Sequence, residues 1–270
     1  MSLGLIYRAV RETRVSTLLF AAGLFVFELF VGMMLATFHK EFSDKFLPLE
    51  FIQKMFAALL GTEVGTVGPA VLSMLGWIHP IVLALVWAHA IVVCTRVPAG
   101  EVDRGTLDVL LALPVTRTSV YVSESVVFIV AGLLVVGVGL GGNVVGNWVS
   151  GLERVGSLGQ LSLVALNLYA LSLAAGGMSA FLSSVCDRRG RAMGAAFAIL
   201  MASLFLSSMS TFNALVKTVS VVSLLNYYRP YGILQGQASP LGDMIVLLGL
   251  GLGLWVCGLT VFIRRDIRTA

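Results

Sequence analysis

The chain has 270 residues, of which 58% are hydrophobic and only 12% charged, and its mean hydropathy is +0.96. A soluble domain carries about 25% charged residues, so this composition excludes a water-soluble globular fold. The net charge of +4 does not point to nucleic acid, because the arginines sit in short stretches between apolar runs and no basic stripe with interleaved aromatics is present.

The first stretch, Leu3–Arg14, places Leu3, Ile6, Tyr7 and Val10 on one face and Arg8, Arg11 and Glu12 opposite. That spacing predicts an N-terminal helix lying at the membrane interface. The apolar run that follows, Val15–Phe38, is too long for the roughly 7–15-residue core of a cleavable signal peptide. A bilayer crossing needs about 20 apolar residues, and six stretches meet that test, near 16–38, 67–95, 121–146, 160–185, 192–211 and 242–263. Spanning backbone must satisfy its own hydrogen bonds, so the predicted fold is an all-α polytopic membrane protein, a single transmembrane domain over 1–270.

Between the first two spans, Ile52, Met55, Phe56 and Leu59 recur at helical spacing opposite Glu50, Gln53 and Lys54, predicting a short amphipathic helix on the outer surface. His79-Pro80 predicts a kink in the second span. The third span is glycine-rich, the sixth carries Gly249, Gly251, Gly253 and Gly258, and the fifth has the small-residue stripe Gly194, Ala198 and Ala202; all three are packing signals in lipid. Cys94, Cys186 and Cys257 are too few and scattered for a disulfide framework or a metal site.

Charge sets the orientation. Twelve arginines fall in the termini and the loops near 96–120 and 186–191, against six cationic residues in the alternate loops. The richer side is expected to be cytoplasmic, which puts both termini inside and the protein in the cell membrane.

The long inner loop, residues 96–120, cannot cross the bilayer, because Glu101, Asp103, Arg104 and Asp108 interrupt it. Val102, Thr106, Val109, Leu110 and Leu113 follow helical spacing, with Glu101, Arg104 and Asp108 on the opposite face, able to pair along it. Pro114 ends the pattern. The residues alone leave this helix either a solvated connector or a docking element.

The run from Gly100-Glu101-Val102-Asp103-Arg104-Gly105-Thr106-Leu107-Asp108 to Leu113-Pro114-Val115-Thr116-Arg117 resembles the loop between spans two and three of ABC transporter permeases of the type-2, exporter-like branch. Ser183-Ser184 and Arg188-Arg189-Gly190-Arg191 look like that family's second inner loop. The resemblance implies a cytoplasmic coupling helix that docks on a separate ABC ATPase subunit, with Glu101, Asp103, Arg104, Gly105, Thr106 and Asp108 as contact candidates and Leu107, Leu110 and Leu111 as packing residues. It also implies a second permease copy or a paralogous permease, with spans two and five at the dimer centre.

The chain has no P-loop, since none of its four lysines follows glycine, so ATP and Mg are expected on the partner and no cofactor on this chain. It has no His-Glu-x-x-His and no Gly-x-Ser-x-Gly, which argues against an enzyme. Glu28, midway along the first span, is either a pathway group or a neutral acid bonding a neighbouring helix. Ser203, Ser207 and Ser210 share one face of the fifth span and are further pathway candidates, although hydroxyls also bond their own backbone. The expected function is the membrane subunit of an ATP-driven exporter. The alternatives are an ABC-linked mechanical scaffold, which the outer segments 39–66 and 212–241 allow, and an ATP-independent channel or secondary transporter.

Overall fold

The computed structural model describes residues 3–60, 76–151, 157–210, 214–234, 236 and 240–266, with the backbone alone for 35–43, 56–60 and 214. Every regular element among the described residues is helical. In chain order these are α1 (Leu3–Glu41), a π-helical turn (Phe42–Phe46), α2 (Glu50–Leu60), α3 (Pro80–Cys94), α4 (Ala99–Asp103), α5 (Leu107–Leu111), α6 (Arg117–Val149), α7 (Leu158–Val185), α8 (Arg189–Ser210), α9 (Ala214–Val219), two 3-10 turns (Ser220–Val222 and Leu224–Tyr227), α10 (Pro230–Leu234) and α11 (Pro240–Arg264).

Five helices are long and apolar enough to cross a membrane: α1, α6, α7, α8 and α11. They contain the stretches expected near 16–38, 121–146, 160–185, 192–211 and 242–263. The sixth expected span differs. Residues 67–75 lie outside the described residues, and α3 is a shorter apolar helix of 15 residues. His79-Pro80 is a break and not a kink. His79 is extended, with φ −65° and ψ 135°, and its Nδ1 accepts from Ile81 N at 3.2 Å. Proline at the first helical position costs no hydrogen bond, because that amide has no partner in a helix start.

The N-terminal stretch also departs from expectation. It is no separate surface helix but runs unbroken into the span, so α1 covers 39 residues, roughly 60 Å at 1.5 Å per residue. The short helix expected between the first two spans is present as α2, and a Lys54–Glu50 ion pair of 2.5 Å lies along it.

Two helix pairs pack backbone to backbone. A Cβ on Gly146 of α6 would stand 2.7 Å from Leu29 O of α1, one on Gly142 would strike Phe25 O, and one on Gly32 would meet Gly146. Likewise a Cβ on Gly251 of α11 would lie 3.0 Å from Ala174 Cα of α7, and one on Gly177 would strike Gly251 O. Absent side chains let these axes approach, and dispersion then holds them where the hydrophobic effect gives no drive between helices. Not every glycine has this use: Gly137, Gly141, Gly249 and Gly253 have nothing within 4 Å of a built Cβ. The stripe Gly194, Ala198 and Ala202 is exposed and joins neither buried cluster among the described residues.

α7 is the central helix, with buried residues along its length against α3, α6, α8 and α11. The segment after α9 folds back between them. Leu224, Leu225, Tyr228, Tyr231, Ile233 and Leu234 join the main core. Irregular backbone is tolerated at such depth only when protein supplies its hydrogen bonds. Here Asn167 of α7 donates to Tyr227 O (3.1 Å) and accepts from Arg229 N (3.2 Å), and the Ser203 hydroxyl of α8 bonds Ser223 Oγ (2.8 Å).

Candidate functional site

The arginine-rich end gathers the start of α1, the α3–α6 connection, the α7–α8 connection and the end of α11. The α3–α6 connection begins at Thr95, whose hydroxyl donates to Ile91 O (2.6 Å), and passes a cis Val97–Pro98 bond into α4. Gly105 then takes φ +66°, a conformation side chains disfavour, and the chain restarts as α5. One continuous amphipathic helix was the expectation; the glycine divides it into two five-residue helices and changes which side chains face outward.

Leu107 and Leu110 are buried in an apolar cluster with Leu5, Val97, Val120, Tyr121, Ala180 and Phe262, and Leu111 packs on its edge, as the family resemblance implied. Val109 and Leu113, expected on the same apolar face, are 71% and 54% exposed. Asp103, Arg104, Gly105, Thr106 and Asp108 are exposed.

Glu101 is not part of that outward face. It is 4% exposed, and its carboxylate accepts from Arg8 Nη2 (2.7 Å), Arg104 Nη2 (3.1 Å) and Thr106 Oγ1 (2.6 Å). A buried carboxylate is stable only when its lone pairs are filled, and three donors fill them here. Beside it, Arg96 pairs with both Glu12 and Glu124. Arg8 also pairs with Glu12 (2.9 Å), so α1, the loop and α6 share one alternating cluster of charge.

The second connection abuts the first. Arg189 N donates to Asp103 Oδ2 (3.3 Å), and Ala99 N donates to Ser183 Oγ (3.0 Å). Sequence spacing singled out Glu101, Arg104 and Asp108, and the resemblance added Asp103, but neither pointed to Arg8, Glu12, Arg96 or Glu124 as their partners. The one legible signal was an acid, Glu12, among the arginines of the N-terminal stretch.

The candidates within the spans fall into separate groups. Glu28 of α1 is fully buried; its Oε2 accepts from Asn143 Nδ2 (2.9 Å), and Asn147 continues the string to Asn143 Oδ1 (3.1 Å). Gly76 packs directly on this carboxyl, and the Oε1 of Glu28 has no hydrogen-bond partner among the described residues. Ser203 instead holds the folded-back segment, and Ser210 donates to Ser207 O (2.6 Å) in its own helix. No hydrogen bond joins Glu28 to the serines among the described residues.

A family model described as "ABC-2 family transporter protein" matches residues 6–267. No curated protein matches the chain.

Proposed function

The chain belongs to the ABC-2 transporter family, and from that premise we propose that it is the membrane subunit of an ATP-driven exporter. Permeases of this family generally work with ABC ATPase subunits. The observation that carries the reading is the α3–α6 connection, which is exposed on the arginine-rich end, in a chain with no P-loop of its own. That end is read as cytoplasmic on the arginine asymmetry, with α3 as part of the second of six crossings.

The proposed contact surface is Asp103, Arg104, Gly105, Thr106 and Asp108 together with the apolar shoulder of Val109 and Leu113. Glu101 moves from contact to internal strut, since its carboxylate is already filled. The exposed stripe Gly194, Ala198 and Ala202 on α8 supports pairing with a second permease copy, because small residues let helices of two subunits approach. Of the pathway candidates Glu28 is retained for its unpartnered oxygen, and Ser203 is set aside as the holder of the folded-back segment. ATP and Mg bind the partner.

Photolabelling tests this. Tagged protein isolated from its native membrane with an azido-ATP probe should bring down a labelled ATPase subunit. Val109→Asp with Leu113→Asp should abolish capture, because a desolvated unpaired carboxylate in the contact costs about 2–5 kcal/mol. Wild-type protein that captures no labelled subunit would refute the reading.

A further inference from the structure

Two guanidinium groups at the arginine-rich end close the ends of helices to which they do not belong. The last turn of a helix leaves carbonyls without donors and carries a partial negative charge. At the end of α11, Arg117 Nη1 donates to Phe262 O (3.0 Å) and Arg265 O (2.6 Å), and the guanidinium stands 5.8 Å from the centre of the Phe262 ring. At the end of α7, Arg265 Nη1 donates to Ser184 O (2.8 Å) and Cys186 O (3.3 Å), while Nη2 pairs with Asp187. A path of contacts thus leads from the exit of the first loop, at Arg117, through the last turn of α11 to the start of the second loop.

A second set of contacts ties the first loop and the end of α3 to the end of α7 and the start of α8: Ala99 N to Ser183 Oγ, Arg189 N to Asp103 Oδ2, and Arg189 Nη2 to Val92 O at 2.9 Å. The two sets tie the loops at two places beside the apolar cluster of Leu5, Val97, Leu107, Leu110, Val120, Tyr121, Ala180 and Phe262, which meets the main core through Cys94. Close-packed interiors deform little, so a loop tied at two places beside such a cluster cannot shift alone. A guanidinium suits the task because its planar fork presents several donors in fixed directions; an ammonium is a point charge on a flexible stem.

We propose that the two inner loops form one plate, and that Arg117 and Arg265 are positioning residues that pass a displacement of the first loop to the second. What displaces the first loop rests on the ATPase reading above; the brace itself does not.

Spin labels test it. In a chain carrying Cys94→Ala, Cys186→Ser and Cys257→Ser, labels at Ala112→Cys and Arg188→Cys, both exposed positions, report the loop-to-loop distance in nanodiscs. The parent should give one narrow distance. With the copurified ATPase and ATP plus Mg, that distance should hold while both loops shift relative to a third label at Lys45→Cys. Arg117→Lys and Arg265→Gln should each broaden the distance, and nucleotide should then shift only the first loop. Arg265→Gln leaves the Arg117 bond to Phe262 O in place, so it serves if the Arg117 variant does not fold. Distances as narrow in the folded variants as in the parent would overturn the proposal, as would a parent with two resolved distances. If no ATPase copurifies, the partner reading fails, and the width measured on the permease alone still decides the brace.

Discussion

Gly142 and Gly137 lie on α6 less than two turns apart and give a controlled measure of how closely α1 is seated. Changing glycine to alanine inside a helix gains about 1 kcal/mol of backbone propensity at either site. At Gly137 the new methyl meets nothing within 4 Å, so that gain stands. At Gly142 the methyl would strike Phe25 O and lie 2.9 Å from Phe25 Cα, both main-chain atoms that cannot rotate away. Overpacking of this kind costs about 1–3 kcal/mol. The propensity term cancels between the two variants, so Gly142→Ala should be less stable than Gly137→Ala by about that amount. Loss of helical circular dichroism across an SDS titration in mixed micelles measures the difference. Equal midpoints for the two variants would refute the close α1/α6 contact.

Glu28→Leu strands the buried Asn143 amide and should cost about 1–3 kcal/mol in the same titration, whereas Glu28→Gln keeps an acceptor and should cost less; equal losses would remove any weight from that hydrogen bond. Ser203→Ala should raise hydrogen–deuterium exchange across residues 220–234 while Ser207→Ala leaves it unchanged, and unchanged exchange in both would show that Ser203 does not hold the segment. Cysteines at Lys45 and Asp103, each placed alone in a cysteine-free chain, should label oppositely with an impermeant reagent applied to sealed cells, and equal labelling would reject the orientation drawn from the arginines.

Much of this fold was legible because lipid imposes a simple rule: long apolar runs must be helices. The five long helices match the runs that composition marked, and Leu110 packs where the spacing placed it, while Leu107 and Leu111 pack as the family resemblance implied. What failed had physical causes. A helical wheel drawn through 100–117 assumes one axis, and Gly105 breaks that axis, so Glu101 faces inward and Val109 outward. The partners of Glu101 and Arg96 are remote: Arg8 is 93 residues from Glu101, and Glu12 is 84 from Arg96. No local spacing can show them. A small-residue stripe says that a helix can be approached closely, not by what, so Gly194, Ala198 and Ala202 look the same whether they face this chain or another. Proline at 80 marked a disruption, but whether it became a kink or a break depended on His79 adopting an extended backbone that caps the next helix.

The folded-back segment at 220–234 fixes an order of events during biogenesis. Its short turns leave peptide groups that would each cost several kcal/mol if presented bare to hydrocarbon, so it cannot enter a bilayer as an inserting span does. The groups that receive it, Asn167 and Ser203, stand on two different helices, roughly 10–14 Å in from the far ends of α7 and α8. They make a seat only after those helices have been inserted and have come together. The segment therefore docks only after α7 and α8 have met, and until then the newly made chain carries a length of uncovered polypeptide, open to proteases and to quality control.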